Sequence, residues 1–404
     1  MNSWAWILVS VLSALVAGFW ALSGLAVMRG LPRVPDLAPL ATGSTGETGA
    51  EGKPQLTVVI PARNESTAIE ATLRSLLAQT IPLTILAVDD RSTDETGTIM
   101  SRVASEPTPP GKFLSAMHVR ELPEGWLGKP HAMALAARQA TTPWFLFTDA
   151  DVVFEPDVLE RVLADAELAK ADHVVLMPTL ILKTPGERMM ATFFQAFSLL
   201  YWRPWKIANP RAKDSIGIGA FNLIRADVYR AIGGFEAQRF QVLDDVRLGV
   251  EVKRGGFRQR ILFGREQIRV HWAPGAVGMA RNLTKNLFAG FSFQPGLLLA
   301  ACLGLALICY LPLADLFAPW PGHAAGLRVA GAVSGLMIAL HYRMASRRFS
   351  GVSTWYALTG PVAAVLVLYA MIRSMVVTLA RRGVVWRGTF YPLGELRRQS
   401  GRLR

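Results

Sequence analysis

Phe145-Leu146-Phe147-Thr148-Asp149-Ala150-Asp151-Val152 is the stretch on which the fold turns. Phe145, Leu146 and Phe147 read as the end of a buried strand, and an Asp–x–Asp follows on a turn. Two acids one residue apart on a turn can both face one divalent cation and a diphosphate. Their hard carboxylate oxygens suit Mg2+ or Mn2+ beside a diphosphate, and the metal would neutralise charge on a leaving diphosphate. Such a pair is common by itself, so its meaning depends on what surrounds it.

Upstream, Val58-Val59-Ile60-Pro61-Ala62-Arg63-Asn64-Glu65 is an apolar strand that gives way to polar residues before a helix. Ala87-Val88-Asp89-Asp90-Arg91-Ser92-Thr93-Asp94 ends a second strand on two carboxylates. A carboxylate there accepts hydrogen bonds from a base N–H or a ribose hydroxyl, while Ser92 or Asp94 suits the cap of the next helix. Gly125-Trp126-Leu127-Gly128-Lys129-Pro130-His131 offers a Gly-rich turn, an aromatic and a cation for a phosphate or sugar. Its glycine spacing is not that of a P-loop. Downstream, Gln241-Val242-Leu243-Asp244-Asp245-Val246-Arg247-Leu248-Gly249 places two acids at a helix start, where a carboxylate suits a general base for an acceptor hydroxyl. Gly217-Ile218-Gly219-Ala220-Phe221-Asn222 lacks the third glycine of a dinucleotide loop.

Between these motifs, apolar runs at 56–60, 84–88, 113–119, 144–148 and 173–177 predict strands. Amphipathic patterns at 68–79, 93–104, 131–139 and 157–169 predict helices. The alternation predicts an α/β domain with a mostly parallel, doubly wound sheet. Ligands on such sheets bind beyond the carboxyl ends of the strands, which is where the motifs fall.

The chain is 51% apolar and 18% charged, which points to membrane spans. Residues 1–28 carry no charge and are long enough to span a bilayer. Arg29 and Arg33 follow this run, so it reads as an uncleaved anchor (1–29) with a cytoplasmic domain after it. Residues 30–54 read as a loose linker, 55–272 as the catalytic domain, and 273–294 as an amphipathic interfacial segment. Apolar runs near 296–314, 324–342 and 350–372 make a membrane region over 295–380, and a basic tail occupies 381–404. From Gly296 onward there are twelve Arg, no Lys and two acids, so +10 of the net charge of +13 lies beside apolar segments. That favours anionic lipid headgroups over nucleic acid as the partner. If all three late runs cross, a cytoplasmic domain leaves the basic tail outside, against the positive-inside rule; a break at Gly360-Pro361 would relieve this. The two cysteines, Cys302 and Cys309, lie in an apolar run and give no disulfide framework or zinc site.

Taken in order, Pro61–Glu65, Val88–Thr96, Thr148–Asp151 and Leu243–Gly249 resemble the family 2 glycosyltransferases over about residues 55–268. The resemblance implies the nucleotide-diphospho-sugar transferase (GT-A, Rossmann-like) fold and an inverting displacement on a nucleotide-sugar, in particular a UDP-sugar. It implies that Asp89 contacts the uracil or ribose, with Pro61, Ala62, Arg63 and Glu65 lining the nucleotide pocket. It makes Asp151 the principal metal ligand, with Asp149 beside it on the sugar or the metal. The family's base is the second acid of a Glu–Asp pair; here the pair is Asp244–Asp245, so Asp245 is the expected base and Asp244 the fallback. The layout is similar to membrane-linked members, the ceramide glucosyltransferase-like and carotenoid or hopanoid glycosyltransferases. That implies a lipid or lipid-linked acceptor at the inner face of the plasma membrane. Trp386-Arg387-Gly388-Thr389-Phe390-Tyr391 also resembles a sequence that follows the last span in such proteins. The Gln–x–x–Arg–Trp motif of processive members is absent, which favours single-sugar transfer over a polysaccharide synthase.

Overall fold

The computed structural model describes residues 3–40, 53–320, 324–386 and 389–399. Residues 43–46 of the expected linker and Arg387 and Gly388 of the tail lie outside the described residues. In chain order the elements are α1 (Ser3–Gly30), β1 (Leu56–Ala62), α2 (Ile69–Leu77), β2 (Leu83–Asp90), α3 (Thr96–Ser105), β3 (Lys112–Val119), α4 (Gly128–Gln139), β4 (Trp144–Phe147), β5 (Val152–Phe154), α5 (Val158–Leu168), β6 (His173–Met177) and β7 (Thr179–Leu180). There follow α6 (Pro185–Tyr201), β8 (Asn222–Arg225), α7 (Ala226–Ala231), α8 (Asp244–Arg254), β9 (Gln259–Phe263), β10 (Ile268–Val270), α9 (Gly275–Gly290), α10 (Pro295–Phe317), α11 (Ala325–Phe349), α12 (Gly360–Ala380), β11 (Gly383–Trp386), β12 (Thr389–Pro392) and α13 (Leu393–Gln399). Every strand and helix predicted between residues 56 and 177 forms.

Two compact units result. Residues 34–181, 206–271 and 385–404 make the catalytic unit, and residues 1–33, 182–205 and 272–384 make the other. The expected catalytic segment 55–272 is therefore interrupted: residues 182–205, with α6, belong to the second unit.

The catalytic unit is built on a seven-stranded sheet of order β3-β2-β1-β4-β8-β6-β9. Only β8 runs antiparallel to its neighbours, β4 and β6. Every residue of β1 is buried, as expected of a central parallel strand covered on both faces. Alternate residues feed two cores. Val58 and Ile60 pack with Leu73 and Leu76 of α2 and Val162 of α5. Val59, Leu86 and Val88 pack with Ala132, Met133 and Ala136 of α4. A three-layer α/β sandwich follows directly from this period-two pattern.

A buried polar triad fixes the side of the sheet nearest α8. His173 Nε2 lies 3.2 Å from Asn222 Oδ1, and Gln259 Nε2 lies 3.2 Å from His173 Nδ1. Gln259 also donates to the carbonyls of Ile216 (3.1 Å) and Gly249 (2.8 Å). Burial pushes the His173 imidazole down to about 4, so it stays neutral and serves as a hydrogen-bonding spacer. Through this triad the loop 216–222 and α8 are held to β6, β8 and β9.

The linker is not loose throughout. Leu37 N–H donates to Phe263 O and Phe263 N–H to Pro35 O, both at 3.0 Å, and the Leu37 side chain enters the core. The basic tail departs from expectation too, since residues 389–399 fold on the catalytic unit with Tyr391 and Leu396 buried. Burial of two large apolar groups outweighs the solvation expected from the tail's charge.

In the second unit, α1, α10, α11 and α12 are each long and apolar enough to cross a membrane. Trp4, Leu8, Leu15 and Leu22 are exposed along α1, and Val362, Val365, Tyr369 and Val376 along α12, as on lipid-facing helices. Gly360-Pro361 does not break a helix; it starts α12, where proline is tolerated. The segment expected to be interfacial, 273–294, forms α9. It buries Met279, Leu283 and Phe288 within this unit, and Phe288 N–H donates to Ser374 Oγ of α12.

Candidate active site

The site is assembled at the carboxyl ends of β1, β2 and β4, the amino end of α4 and the amino end of α8. Two loops are stapled together first. Asn64 N–H donates to Ser92 Oγ (3.0 Å), Glu65 N–H to Thr96 Oγ1 (2.8 Å), and Thr93 N–H to Asn64 Oδ1 (2.8 Å). Asn64 and Arg91 hold φ of 56° and 57°. Such left-handed residues are costly outside glycine and cluster at functional loops.

The pair Asp89–Asp90 divides its labour according to the strand pleat. Asp89 Oδ1 accepts from Ser92 N–H at 3.0 Å, and its Oδ2 lies 3.3 Å from His118 Nδ1 on the neighbouring strand. It organises the turn. Asp90 is fully buried on the other face. Arg91 Nε donates to its Oδ1 at 2.8 Å, and Arg63 Nη1 lies 3.7 Å from its Oδ2. That Oδ2 accepts no hydrogen bond among the described residues and points at the start of α4. A Cβ on Gly128 would sit 2.0 Å from it, so only glycine fits over this carboxylate. Sequence reasoning chose Asp89 for the nucleotide; the structure turns Asp89 toward His118 and Asp90 toward the start of α4. Pro61 and Ala62 end β1 as buried residues beneath Arg63.

The second cluster follows immediately along α4. Lys129 Nζ donates to Asp149 Oδ1 at 2.7 Å and lies 3.5 Å from Asp244 Oδ2. Burial opposes the charge on Lys129, but Asp149, Asp244 and Asp245 outweigh it and hold the ammonium protonated. Asp245 Oδ2 accepts from Gly219 N–H at 2.7 Å, and its Oδ1 accepts from Val246 N–H at 2.8 Å. Burial raises the Asp245 carboxyl. Asp244 is 5% exposed; burial pushes it up to about 7, with Lys129 opposing and Asp245 and Asp149 adding to the rise. Close approach dictates the glycines here. A Cβ on Gly219 would lie 2.4 Å from Asp149 Oδ2, and one on Gly217 would lie 1.8 Å from the Asp245 carbonyl oxygen.

Asp151 completes the arrangement. Burial, then the charges of Asp149 and Glu65, push its carboxyl up to about 7. No group of three His, Cys, Asp or Glu among the described residues forms a ready-made metal cage. A Mg2+-type ion nevertheless uses one or two carboxylates and completes its shell with water and substrate phosphate. The crowded charge of Asp149, Asp151 and Glu65 fits such an ion. A cleft of about 610 Å³ lies elsewhere, lined by Trp144, Lys170, Ala171 and Arg258 among others, and holds none of these motifs.

Of the residues expected from sequence, the structure brings together Asp149, Asp244, Asp245 and Lys129, with Asp151 and Glu65 in electrostatic reach. Arg63 joins Asp90, and Asp89 faces away toward β3.

Comparison with known proteins agrees with this fold. Residues 57–233 match the family model described as Glycosyl transferase family 2. The 4,4'-diaponeurosporenoate glycosyltransferase of Staphylococcus aureus (strain USA300) is 26% identical over 197 residues, 48% of this chain and 50% of that protein. The chain thus spans about half the length of the curated relatives it matches. Among solved structures, the mannosyltransferase PcManGT from Pyrobaculum calidifontis, in complex with GDP-Man and Mn2+, aligns with a TM-score of 0.56 at 20% identity, covering 93% of this chain and 99% of that one. This likeness bears on the fold, which is that of the GT-A glycosyltransferases. Residues 57–233, less than half of the chain, thus resemble the family 2 glycosyltransferases and lie in a unit with the GT-A fold.

Proposed function

We propose that the protein transfers a sugar, with inversion, from a nucleotide-sugar to a hydroxyl of a lipid or lipid-linked acceptor at the cytoplasmic face of a membrane. The observation that carries this reading is the convergence of one lysine and three carboxylates, Lys129 with Asp149, Asp244 and Asp245, next to the buried Asp90.

The roles follow from what each group touches. Asp90 keeps one oxygen without a hydrogen bond among the described residues, and that oxygen suits a base N–H or a ribose hydroxyl. Arg63 and Arg91 set their cations against that carboxylate, Arg91 Nε at 2.8 Å from Oδ1 and Arg63 Nη1 at 3.7 Å from Oδ2. Lys129 faces the developing negative charge of the diphosphate. Asp149 and Asp151 would hold a divalent cation, which supplies charge neutralisation on the leaving diphosphate. Asp245 is the base: it is more open than Asp244, and two backbone N–H groups orient it. Asp244, buried against Lys129, keeps the lysine in place.

The lipid acceptor is supported by the four long apolar helices and by the carotenoid glycosyltransferase relative. Arg29 and Arg33 after α1 support the cytoplasmic orientation. Residues 389–399 belong to the catalytic unit and so share its side of a bilayer. An even number of α10, α11 and α12 then crosses, which removes the conflict between the basic tail and the positive-inside rule.

The test is transfer from labelled UDP- and GDP-sugars with Mn2+ or Mg2+ in membranes containing the protein, followed by mass analysis of extracted lipids. We expect a glycosylated lipid, and a loss of ~10²–10⁴-fold in rate for Asp245→Asn. Undiminished transfer by that variant would refute its role, and no transfer from any donor would refute the function.

A further inference from the structure

The amino end of β4, the far end of that strand from Asp149 and Asp151, opens on the cleft of about 610 Å³ that the transfer reaction leaves unused. Backbone hydrogen bonds fix its walls. Ala226 N–H donates to Pro143 O at 2.8 Å, Arg225 N–H to Asp172 O at 3.0 Å, and Asp172 N–H to Arg258 O at 2.9 Å. The cleft is therefore formed before any ligand arrives, and its volume falls in the ~300–1,000 Å³ range of small-molecule sites. Its floor is apolar, with Trp144, Ala166, Ala171 and Ala226 buried. Its rim is cationic: Lys170, Arg225, Arg230 and Arg258 stand against only Glu167 and Asp227. Asp227 neutralises Arg225, Oδ2 to Nη2 at 2.7 Å. Arg258 Nε is 3.8 Å from Asp172 Oδ2, outside hydrogen-bond reach. Lys170 and Arg230 pair with no carboxylate among the described residues. Arg230 instead sets its guanidinium over the Phe145 ring, 5.7 Å from the centroid, and keeps its charge free. Lys170 is the sharper signal. Helix α5 closes with Ala171 N–H donating to Ala166 O at 2.8 Å and Lys170 N–H to Glu167 O at 3.0 Å, which holds Lys170 at φ 50°. Such a closure favours glycine, because a Cβ is strained in the left-handed region. A lysine keeps the strain and brings a cation to the cleft.

We propose that this cleft is a second ligand site, which takes a phosphorylated small molecule of nucleotide size, its apolar body on Trp144 and the alanines and its phosphates toward Lys170, Arg230 and Arg258. Charge and volume together select that class. Cations backed by apolar walls draw anions, and guanidinium forks match phosphate oxygens. A bare inorganic anion would leave the apolar floor uncovered, and an apolar molecule would leave the cations unanswered. The cleft shares no residue with the Lys129 cluster, so the inference does not rest on the proposed donor chemistry.

The experiment is calorimetric titration of ADP, and of adenosine, into the full-length, detergent-solubilised protein. Chelator is present throughout, so that a cation-dependent donor site stays empty. Wild type is compared with Lys170→Gly and Arg230→Ala, and the thermal midpoint of each is recorded. Lys170→Gly removes the cation and relieves the left-handed strain together, so the fold is retained. The expected result is saturable ADP binding that weakens as salt rises, with adenosine at least about tenfold weaker, and an ADP Kd raised about tenfold or more in each variant. The midpoint of Lys170→Gly should equal or exceed that of wild type. No saturable ADP binding by the wild-type protein, adenosine bound as tightly as ADP, or an ADP affinity unchanged in both variants would overturn the proposal while leaving the transferase reading intact. Phosphatidylglycerol added to the detergent is the second arm: a protein that binds this lipid through Lys170 and Arg230 but not ADP would hold a membrane headgroup there, which also overturns the small-molecule assignment.

Discussion

Replacing Lys129 with Met tests the electrostatics of the site most stringently. The Lys129 side chain is 13% exposed and its ammonium pairs with Asp149 at 2.7 Å and Asp244 at 3.5 Å. Removing one partner of a buried ion pair costs ~3–5 kcal/mol. The Asp149 side chain is 37% exposed and regains solvent, so the cost falls mainly on Asp244, at 7%. That places the loss near the lower limit, ~3 kcal/mol, and for a unit of this size each kcal/mol moves the midpoint by ~2–4 °C, giving a drop of roughly 6–12 °C. The pH dependence supplies the sign. The Asp244 carboxyl is raised from 3.8 to about 7, so ionising it costs stability as pH rises between those values. Without Lys129 it rises further, and the penalty grows. The deficit of Lys129→Met should therefore be larger at about pH 8 than at about pH 5, where Asp244 is protonated in both proteins. Thermal unfolding of the purified protein at the two pH values measures it. An unchanged midpoint at about pH 8, or an equal deficit at both, would refute the reasoning.

Further outcomes follow from the same geometry. Asp90→Asn should weaken nucleotide binding about tenfold or more, the worth of ~1.5–3 kcal/mol for a hydrogen bond to a charged group. Asp89→Asn should leave that affinity near wild type and lower the thermal midpoint instead, because its bonds to Ser92 and His118 are structural; titration with UDP and GDP separates the two. Gly217→Ala should cost ~1–3 kcal/mol or more by overpacking and slow transfer about a hundredfold, since the new Cβ would strike the Asp245 carbonyl; unfolding and turnover assays on one preparation check both. A reporter fused at the C-terminus should be found on the same side of the membrane as one inserted in the catalytic unit, and opposite locations would contradict the shared fold of residues 389–399.

The sheet was legible because its central strands are buried on both faces, which leaves continuous apolar runs such as Leu56–Ala62. The site motifs were legible because they interrupt those runs at strand ends. The different orientations of Asp89 and Asp90 were not anticipated, though the signal was present. Leu86 and Val88 share the α4 face, and a period of two carries that face on to Asp90. Predicting α4 from 131 rather than from Gly128 concealed this, because Leu127 gives no capping signal. The fold of the tail was not legible. Tyr391 and Leu396 stand in a basic segment, and only contacts distant in sequence bury them. Residues 182–205 were assigned to the catalytic domain for a similar reason. Their composition is mixed, and packing rather than sequence decides the unit they join.

The central claim is that Asp90, Lys129, Asp149 and Asp151 form one site for a nucleoside diphosphate and a divalent cation. Calorimetric titration of UDP and GDP into the purified protein, with Mn2+ and with chelator, tests it most directly. The account predicts saturable nucleotide binding that needs the cation and is lost in Asp151→Asn. Equal binding with and without Mn2+, unaffected by Asp151→Asn, would contradict it.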